Sequence, residues 1–226
     1  IHLEGAASPL FVRETCNSNG RHIPEIFDET GNYNWKNFDQ FLRVYEIVTN
    51  LFLEEKNFEA LLRHVLDKQV KENVIYNEIF LGPHLWSDKP SDRWERFLKI
   101  ASHVSNEYKE KYGIHTYFII VCIRHLGPEK AFEASKFASK VKSNNVIGFG
   151  IAGDEKKFDL LDFIESFNFA KNSGLGTTAH AGEICGAESV DKAIQLGVTR
   201  IGHGVRSSES TKTIKKLLEK NILLEI

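Results

Sequence analysis

Short apolar runs alternate with amphipathic patterns along the chain. The runs are predicted to be strands at residues 1–3, 73–81, 116–123, 146–151, 176–180, 199–203 and 222–226. Runs this short and apolar are typical of strands buried on both faces of a sheet. Between them, apolar residues recur at helical spacing, as at Trp94, Phe97, Leu98 and Ala101. Similar patterns lie around residues 160–167, 190–194 and 214–218. Strands that alternate with amphipathic helices predict repeated β-α units around a parallel sheet.

The spacing of the strands favours one fold class. The later strand ends fall at residues 123, 151, 180, 203 and 226. This even spacing favours an α/β fold of the TIM (β/α)8 barrel type, whose typical length is about 250 residues. A doubly wound open sheet is the alternative, weakened because no Gly-rich phosphate turn follows the first strand. We predict one barrel domain over residues 1–226.

A stretch of about 70 residues interrupts the alternation after the first predicted strand. It holds two helical patterns, at Phe38, Phe41, Leu42 and Tyr45 and at Phe58, Leu61, Leu62 and Val65. A long insertion after the first strand of a barrel lies at the mouth that carries the active site. Residues 10–72 are therefore predicted to form a lid-like helical insertion, with a simple surface plug as the alternative.

Composition excludes several classes of protein. Of the 226 residues, 42% are hydrophobic and 27% are charged, which is typical of a folded globular chain. The net charge of −2 gives no sign of nucleic acid as the main partner. The longest strongly apolar run, 117–123, is far shorter than the roughly 20 residues of a membrane helix. Three widely spaced cysteines predict neither a disulfide framework nor a cysteine zinc site, and fit a cytoplasmic protein.

Histidines occur at or just after five of the predicted strand ends. They are His2, His84, His125, His180 and His203. The carboxyl ends of parallel strands meet at one rim of a barrel, so several histidines there favour a metal or acid–base site. One histidine alone would more often be a packing residue.

Three of the strand ends carry patterns with their own chemistry. His180 and Glu183 are spaced so that an imidazole can bind zinc while a carboxylate moves protons; capping of the next helix is the alternative. Glycines flank His203, which fits a general base or an ordinary turn. Gly153 offers a backbone N–H to the edge of a flat ligand, or lies in an ordinary loop.

These motifs occur together in a known order. His2-Leu3-Glu4-Gly5, Gly153-Asp154-Glu155, His180-Ala181-Gly182-Glu183 and Arg200-Ile201-Gly202-His203-Gly204 follow one another along the chain. The set resembles the adenosine deaminases of the metal-dependent amidohydrolase superfamily, and the resemblance runs through essentially the whole chain. The other type of zinc deaminase needs a P-C-x-x-C motif, which is absent from this sequence.

The resemblance implies a reaction and a set of roles. The enzyme would use one Zn2+ per chain to convert adenosine and deoxyadenosine to inosine-type products and ammonia, in cytoplasmic purine salvage. It implies His2 and His180 as metal ligands and Glu183 as the donor of a proton to purine N1. His203 would orient or deprotonate the attacking water, while Gly153, His2 and Glu4 would contact a small-molecule purine nucleoside. The oligomeric state stays open.

Some positions depart from the family's pattern. A histidine expected two places before His2 and two aspartates of an eighth strand are not in the sequence, so we expect a chain truncated at both ends. Glu4 and Gly150 stand where many adenosine deaminases carry Asp, and Glu4 is common in relatives that act on adenine. Deamination of adenine or a modified adenine nucleoside is the first alternative. A catalytically dead barrel that serves as a binding protein is the second.

Overall fold

The computed structural model describes residues 1–142 and 145–226. Its strands are β1 (Tyr76–Leu81), β2 (His115–Ile123), β3 (Val146–Ala152), β4 (Gly176–Ala181), β5 (Arg200–His203) and β6 (Leu223–Glu225). Its α-helices are α1 (Pro9–Ser18), α2 (Phe38–Leu51), α3 (Glu55–Lys71), α4 (Pro83–Trp86), α5 (Asp92–Tyr112), α6 (Pro128–Lys140), α7 (Ile164–Asn172), α8 (Ala187–Leu196) and α9 (Thr211–Glu219). Short 3-10 helices lie at Glu4–Ala6, Pro24–Ile26, Arg124–Leu126, Leu160–Phe163 and Val205–Glu209.

The strands follow one another in the sheet in the order in which they occur in the chain. Each neighbouring pair from β2 to β6 is parallel. The register places His180 of β4 opposite Gly202 of β5, and Ala181 opposite His203. A sequential parallel order is that of a TIM barrel, whereas a doubly wound sheet reverses its order at a switch point. The predicted α/β class is therefore confirmed, and the order favours the barrel type.

One compact unit comprises residues 1–80 and 92–117. Its core lies between α3 and α5, where the fully buried ring of Phe58 packs 4.7 Å from that of Phe97. Arg63 of α3 reaches across to α5 and donates to both carboxylate oxygens of Glu107, at 3.0 and 2.8 Å. The amphipathic faces that the sequence predicts for these two helices are thus buried against each other.

The second compact unit comprises residues 81–91 and 118–226. Here β3 to β6 alternate with α7, α8 and α9, and the ring of Phe149 on β3 meets that of Phe167 on α7 edge to face at 5.1 Å. Both rings are fully buried. The carboxyl ends of β3, β4 and β5 carry four of the residues that the sequence singles out as functional, namely Gly153, His180, Glu183 and His203.

The structure corrects the predicted elements in a few places. Residues 1–3 form only a single parallel bridge, between His2 and Phe80, instead of a strand. The sequence patterns do not predict α1, which begins at Pro9 directly after its N-cap residue Ser8. Three residues of the helical patterns, namely Ile164, Ile214 and Leu218, are 38–74% exposed. They lie at the margin of the buried stripe, which covers only part of a helix's circumference.

Two expectations from composition can be compared with the described residues. Within 1–142 and 145–226, every helix is too short or too polar to cross a membrane. Cys16, Cys122 and Cys185 are free thiols, of which the first two are buried and the third is half-buried.

Candidate active site

The carboxyl ends of β3, β4 and β5 bring together most of the predicted site residues of the second unit. Gly153 follows β3, and His203 is the last residue of β5. His180 is the penultimate residue of β4, and Glu183 follows that strand. The rings of His180 and His203 are 5.1 Å apart at 70°. His203 Nε2 lies 3.6 Å from the Glu183 carboxylate. These neighbours form a cluster of two imidazoles and one carboxyl group.

His180 is held as a neutral imidazole. Burial, reinforced by the charge of His203, lowers its pKa to about 4, against a hydrogen bond with the Ile151 backbone that acts in the opposite direction. The ring packs on the backbone of Gly202, where an added Cβ would lie only 2.9 Å from His180 Nδ1. Neutral imidazole is the form in which histidine binds zinc. The absence of a side chain at Gly202 leaves room for the ring in this position.

The carboxyl group of Glu183 is partly buried, close to His203 and Glu155. Burial raises its pKa, the nearby His203 acts against this shift, and the negative charge of Glu155 adds to it. A raised pKa means that the carboxyl group keeps its proton to a higher pH than an exposed glutamate does. Such a group can donate a proton to a basic ring nitrogen.

His203 has an unusual backbone conformation. Its φ is +67°, and Gly204 follows at +66°. A left-handed conformation is unfavourable for a residue with a Cβ and is enriched at functional positions. It turns the chain directly after β5, and it leaves the imidazole over a third exposed beside Glu183.

Gly153 occupies a position that excludes other residues. Its φ of +105° lies outside the range of ordinary L-residues, and an added Cβ would meet His125 Nδ1 at 3.0 Å. The chain therefore needs glycine here for two separate reasons. The backbone of this turn can approach a flat ligand without a side chain in between.

The other strand-end histidines of this unit have different neighbours. His125 lies beside Gly153. His84 is buried, and its Nε2 lies 3.1 Å from Glu133 on α6. Burial lowers its pKa, and the hydrogen bond to Glu133 offsets part of this. This contact joins α4 to α6.

His2 and Glu4 belong to the first unit. The His2 ring stacks on Phe80 at 4.6 Å. Glu4 is 4% exposed, and its carboxylate accepts a hydrogen bond of 3.1 Å from the Tyr45 hydroxyl. Burial and the neighbouring Glu4 together raise the pKa of Tyr45 well above its usual value, so the phenol stays protonated and continues to donate. The pair holds the Glu4 carboxylate in one orientation.

Two buried charged residues of the second unit, Glu155 and Arg124, are not among the predicted site residues. Glu155 is 3% exposed and accepts three hydrogen bonds from residues 184–189. Arg124 is 5% exposed and donates a hydrogen bond to the carbonyl of Lys157, two residues after Glu155. The sequence contains a signal for Glu155, since it directly follows Gly153-Asp154. Its role depends on partners about 30 positions away, which a motif does not show.

The described residues supply only part of a metal's ligands. Among residues 1–142 and 145–226, no group of three or more His, Cys, Asp or Glu side chains is close enough to hold a metal ion. His180 fits one imidazole ligand because it is neutral and seated on Gly202. The donor chemistry at β4 therefore suits zinc, while a full set of ligands is not gathered by this part of the chain.

A cavity of about 390 Å³ lies elsewhere, in the first unit. It is lined by Arg13, Cys16, Phe27 and Asp28 among others, and none of the predicted site residues contributes to it.

Comparison with known proteins gives a consistent result. The sequence model described as adenosine deaminase matches residues 1–226. An adenine deaminase of Agrobacterium fabrum is 34% identical over 226 residues, which is all of this chain and 69% of that protein. The crystal structure of an adenine deaminase from Arthrobacter aurescens superposes with a TM-score of 0.86, at 23% identity over 99% of this chain and 69% of that one. An amidohydrolase from Burkholderia ambifaria, solved with bound Zn, gives a TM-score of 0.80 at 20% identity, over 99% of this chain and 62% of that one.

Proposed function

The chain belongs to the adenosine deaminase family, and from this membership we propose that the protein catalyses the hydrolytic deamination of adenine to hypoxanthine and ammonia. The observation that carries the choice of adenine is the 34% identity to an adenine deaminase over the whole of this chain. Adenosine, the substrate that the sequence motifs favour, is the second candidate. The proposed chemistry is common to both.

The reaction needs an acid that gives a proton to the purine and a base that takes a proton from water. The oxygen of water adds to C6 of the purine while a proton reaches N1, and ring aromaticity is lost. A second proton then reaches the amino nitrogen, the C6–N bond breaks and ammonia leaves. An acid that is still protonated near neutral pH and a base beside it would lower the barrier to these steps.

Glu183 and His203 are suited to these two tasks. The raised pKa of Glu183 favours the protonated carboxyl group that would supply the proton to N1. His203, 3.6 Å away, would accept the proton of the attacking water or orient it. An active site usually holds both an acid and a base by placing two titratable groups in different environments, which separates their pKa values.

We propose His180 and His2 as two of the ligands of one zinc ion per chain. When bound, zinc would supply Lewis-acid activation of the attacking water. The neutral state of His180 supports its assignment, because only a deprotonated imidazole nitrogen can coordinate a metal. The Gly153 backbone N–H is our proposed donor to purine N3, supported by the absence of a side chain at that turn.

Glu4 bears on the choice between adenine and adenosine. Free adenine has an N–H in its five-membered ring, which adenosine lacks because the sugar is attached there. A buried carboxylate that Tyr45 holds in place is a good acceptor for such an N–H. We therefore propose Glu4 as the residue that favours the free base over the nucleoside. A cytoplasmic role in purine salvage would follow from this reaction.

The test follows the ultraviolet absorbance of adenine, adenosine and deoxyadenosine in parallel, with the zinc-loaded protein at its full natural length. Turnover of adenine by wild type and by Glu165→Gln, a substitution at the exposed start of α7, would support the proposal if Glu183→Gln shows no turnover. Turnover of the nucleosides alone would move the function to adenosine. No turnover of any of the three, with zinc bound, would refute both candidates.

A further inference from the structure

The turn that carries Glu183 is held by one buried carboxylate. The backbone N–H groups of Ile184 and Cys185 donate to the same oxygen of Glu155, at 2.6 and 2.7 Å. The hydroxyl of Ser189 donates to the other oxygen at 3.0 Å. Both oxygens of a 3% exposed side chain are thus committed to the segment that directly follows Glu183.

The opposite side of the same turn is held by Arg206. Its backbone N–H donates to the carbonyl of Gly182 at 3.1 Å, and its guanidinium donates to the carbonyl of Ile184. Arg206 lies three residues after His203, and Glu209 fixes its guanidinium at 2.7 Å. The backbone of Ile184 is therefore bonded through its N–H to Glu155 and through its C=O to Arg206.

A second buried charge supports the loop from which Glu155 projects. Arg124, 5% exposed, donates through Nε to the carbonyl of Lys157 at 2.9 Å and through Nη2 to that of Phe158 at 3.0 Å. Its positive charge also interacts with Glu155. A buried carboxylate is costly unless charge and hydrogen bonds compensate for it, and both are present here.

Capping of α8 does not explain this arrangement. The helix begins at Ala187 after Gly186, whereas the two N–H groups bound by Glu155 belong to Ile184 and Cys185, before the helix. Gly186 N–H is bound instead by Glu188. The carboxylate of Glu155 therefore fixes the turn itself, and Ser189 is its one partner within α8.

We propose that Glu155 is a positioning residue for deamination, which acts by fixing the 182–186 turn so that the Glu183 carboxyl group stays beside His203. The inference rests on the proposed function, because it takes Glu183 as the proton donor. Glu155 touches neither substrate nor metal in this proposal. It acts only through the backbone of the turn.

The test combines kinetics with hydrogen exchange in the zinc-loaded protein at its full natural length. In Glu155→Gln the charge is lost, so the Ile184 and Cys185 amides should exchange faster than in wild type. Displacement of a catalytic group by about 1 Å costs on the order of 100-fold in rate, so we expect kcat to fall by that order while KM changes less than about threefold. In Ser189→Ala both amide bonds remain, and kcat should stay within about threefold of wild type.

Two further variants separate positioning from a general loss of structure. Glu155→Asp keeps the charge but shortens the reach, so it should also lower kcat. Asp159→Asn removes a carboxylate that accepts a backbone N–H, from Leu161, outside the Glu183 turn, and should leave kcat unchanged. Thermal unfolding of each variant, measured alongside, shows whether the fold is retained.

Several results would overturn the proposal. One is a folded Glu155→Gln protein with wild-type kcat; another is an equal loss of kcat in Asp159→Asn. If the Glu155 variants fail to fold, unprotected Ile184 and Cys185 amides in wild type would refute it. Loss of protection of these amides in Arg206→Gln with a normal kcat would do so as well, because the turn would then be loose without a cost to catalysis. A wild-type protein that deaminates no purine instead refutes the proposed function, and the exchange data still report whether the turn is held.

Discussion

Replacement of Gly202 by alanine should disturb the candidate site with little change to the backbone. The φ of Gly202 lies outside the left-handed range, so alanine is tolerated by the main chain and the effect is steric. The new Cβ would lie 2.9, 3.1 and 3.2 Å from Nδ1, Cε1 and Cγ of His180. Ordinary van der Waals contact begins near 3.4 Å. The imidazole must therefore move by roughly half an ångström, or β5 must move away from β4.

The expected cost follows from this overlap. Overpacking in a well-packed region typically costs about 1–3 kcal/mol of unfolding free energy. Disturbing the seat of a metal ligand typically costs about 10–100-fold in metal affinity. We expect Gly202→Ala to lower zinc affinity by that factor, as measured by competition with a chromophoric chelator, and to lower the denaturation midpoint.

Gly176→Ala is the matched control. Gly176 lies in the neighbouring strand β4, and its nearest atom to an added Cβ is the Ile147 carbonyl oxygen at 3.5 Å, an ordinary contact. This variant should bind zinc as wild type does. Wild-type zinc affinity in Gly202→Ala, with the substitution confirmed and the protein folded, would show that His180 does not bind the metal or that its ring moves without cost.

Three further predictions rest on burial and charge. Glu183→Gln should abolish deamination, and the stability of the zinc-free variant relative to wild type should increase as pH rises. The folded pKa of Glu183 is raised, so wild type loses stability as pH rises through it, while Gln does not ionise. Chemical denaturation from pH 5 to 9 checks this, and a gain that shrank with rising pH would contradict it. Phe149→Ala should cost about 3–5 kcal/mol in the same assay, because the ring is fully buried against Phe167; a loss below 1 kcal/mol would contradict this. Cys122 is buried, which raises its thiol pKa, so a thiol reagent should label it only after unfolding, and rapid labelling of the native protein would refute its placement.

Most of the regular structure could be predicted from local patterns. Strands β2 to β5 were located to within a residue or so, because runs such as 116–123 and 146–151 are apolar on both faces. The buried stripe of α5 followed from the spacing of Trp94, Phe97, Leu98 and Ala101, all of which are fully buried. The helix α1 was missed because Pro9–Ser18 has few apolar residues, and its buried positions are Val12, Thr15 and Cys16.

The candidate site was predicted less completely. Strand-end histidines and Glu183 could be found because parallel strands place their carboxyl ends at one edge, so position along a strand implies position in the site. The side-chain directions could not be found in this way. Its position along the strand places His84 with the other strand-end histidines, yet its Nε2 is bonded to Glu133 on α6. Whether His2, His180, Glu183 and His203 perform the assigned roles stays a prediction for the kinetic tests above.

The order of the elements, the parallel sheet and the family follow from the sequence, because they depend on periodicity and on motifs that are contiguous in the chain. Which groups meet depends on the folded chain. Glu155 binds N–H groups 29 and 30 residues away, and Gly202 of β5 forms the seat of His180 on β4. The effect of a buried charge or of an absent side chain depends on the atoms around it. Those atoms come from distant parts of the chain, which folding alone brings together.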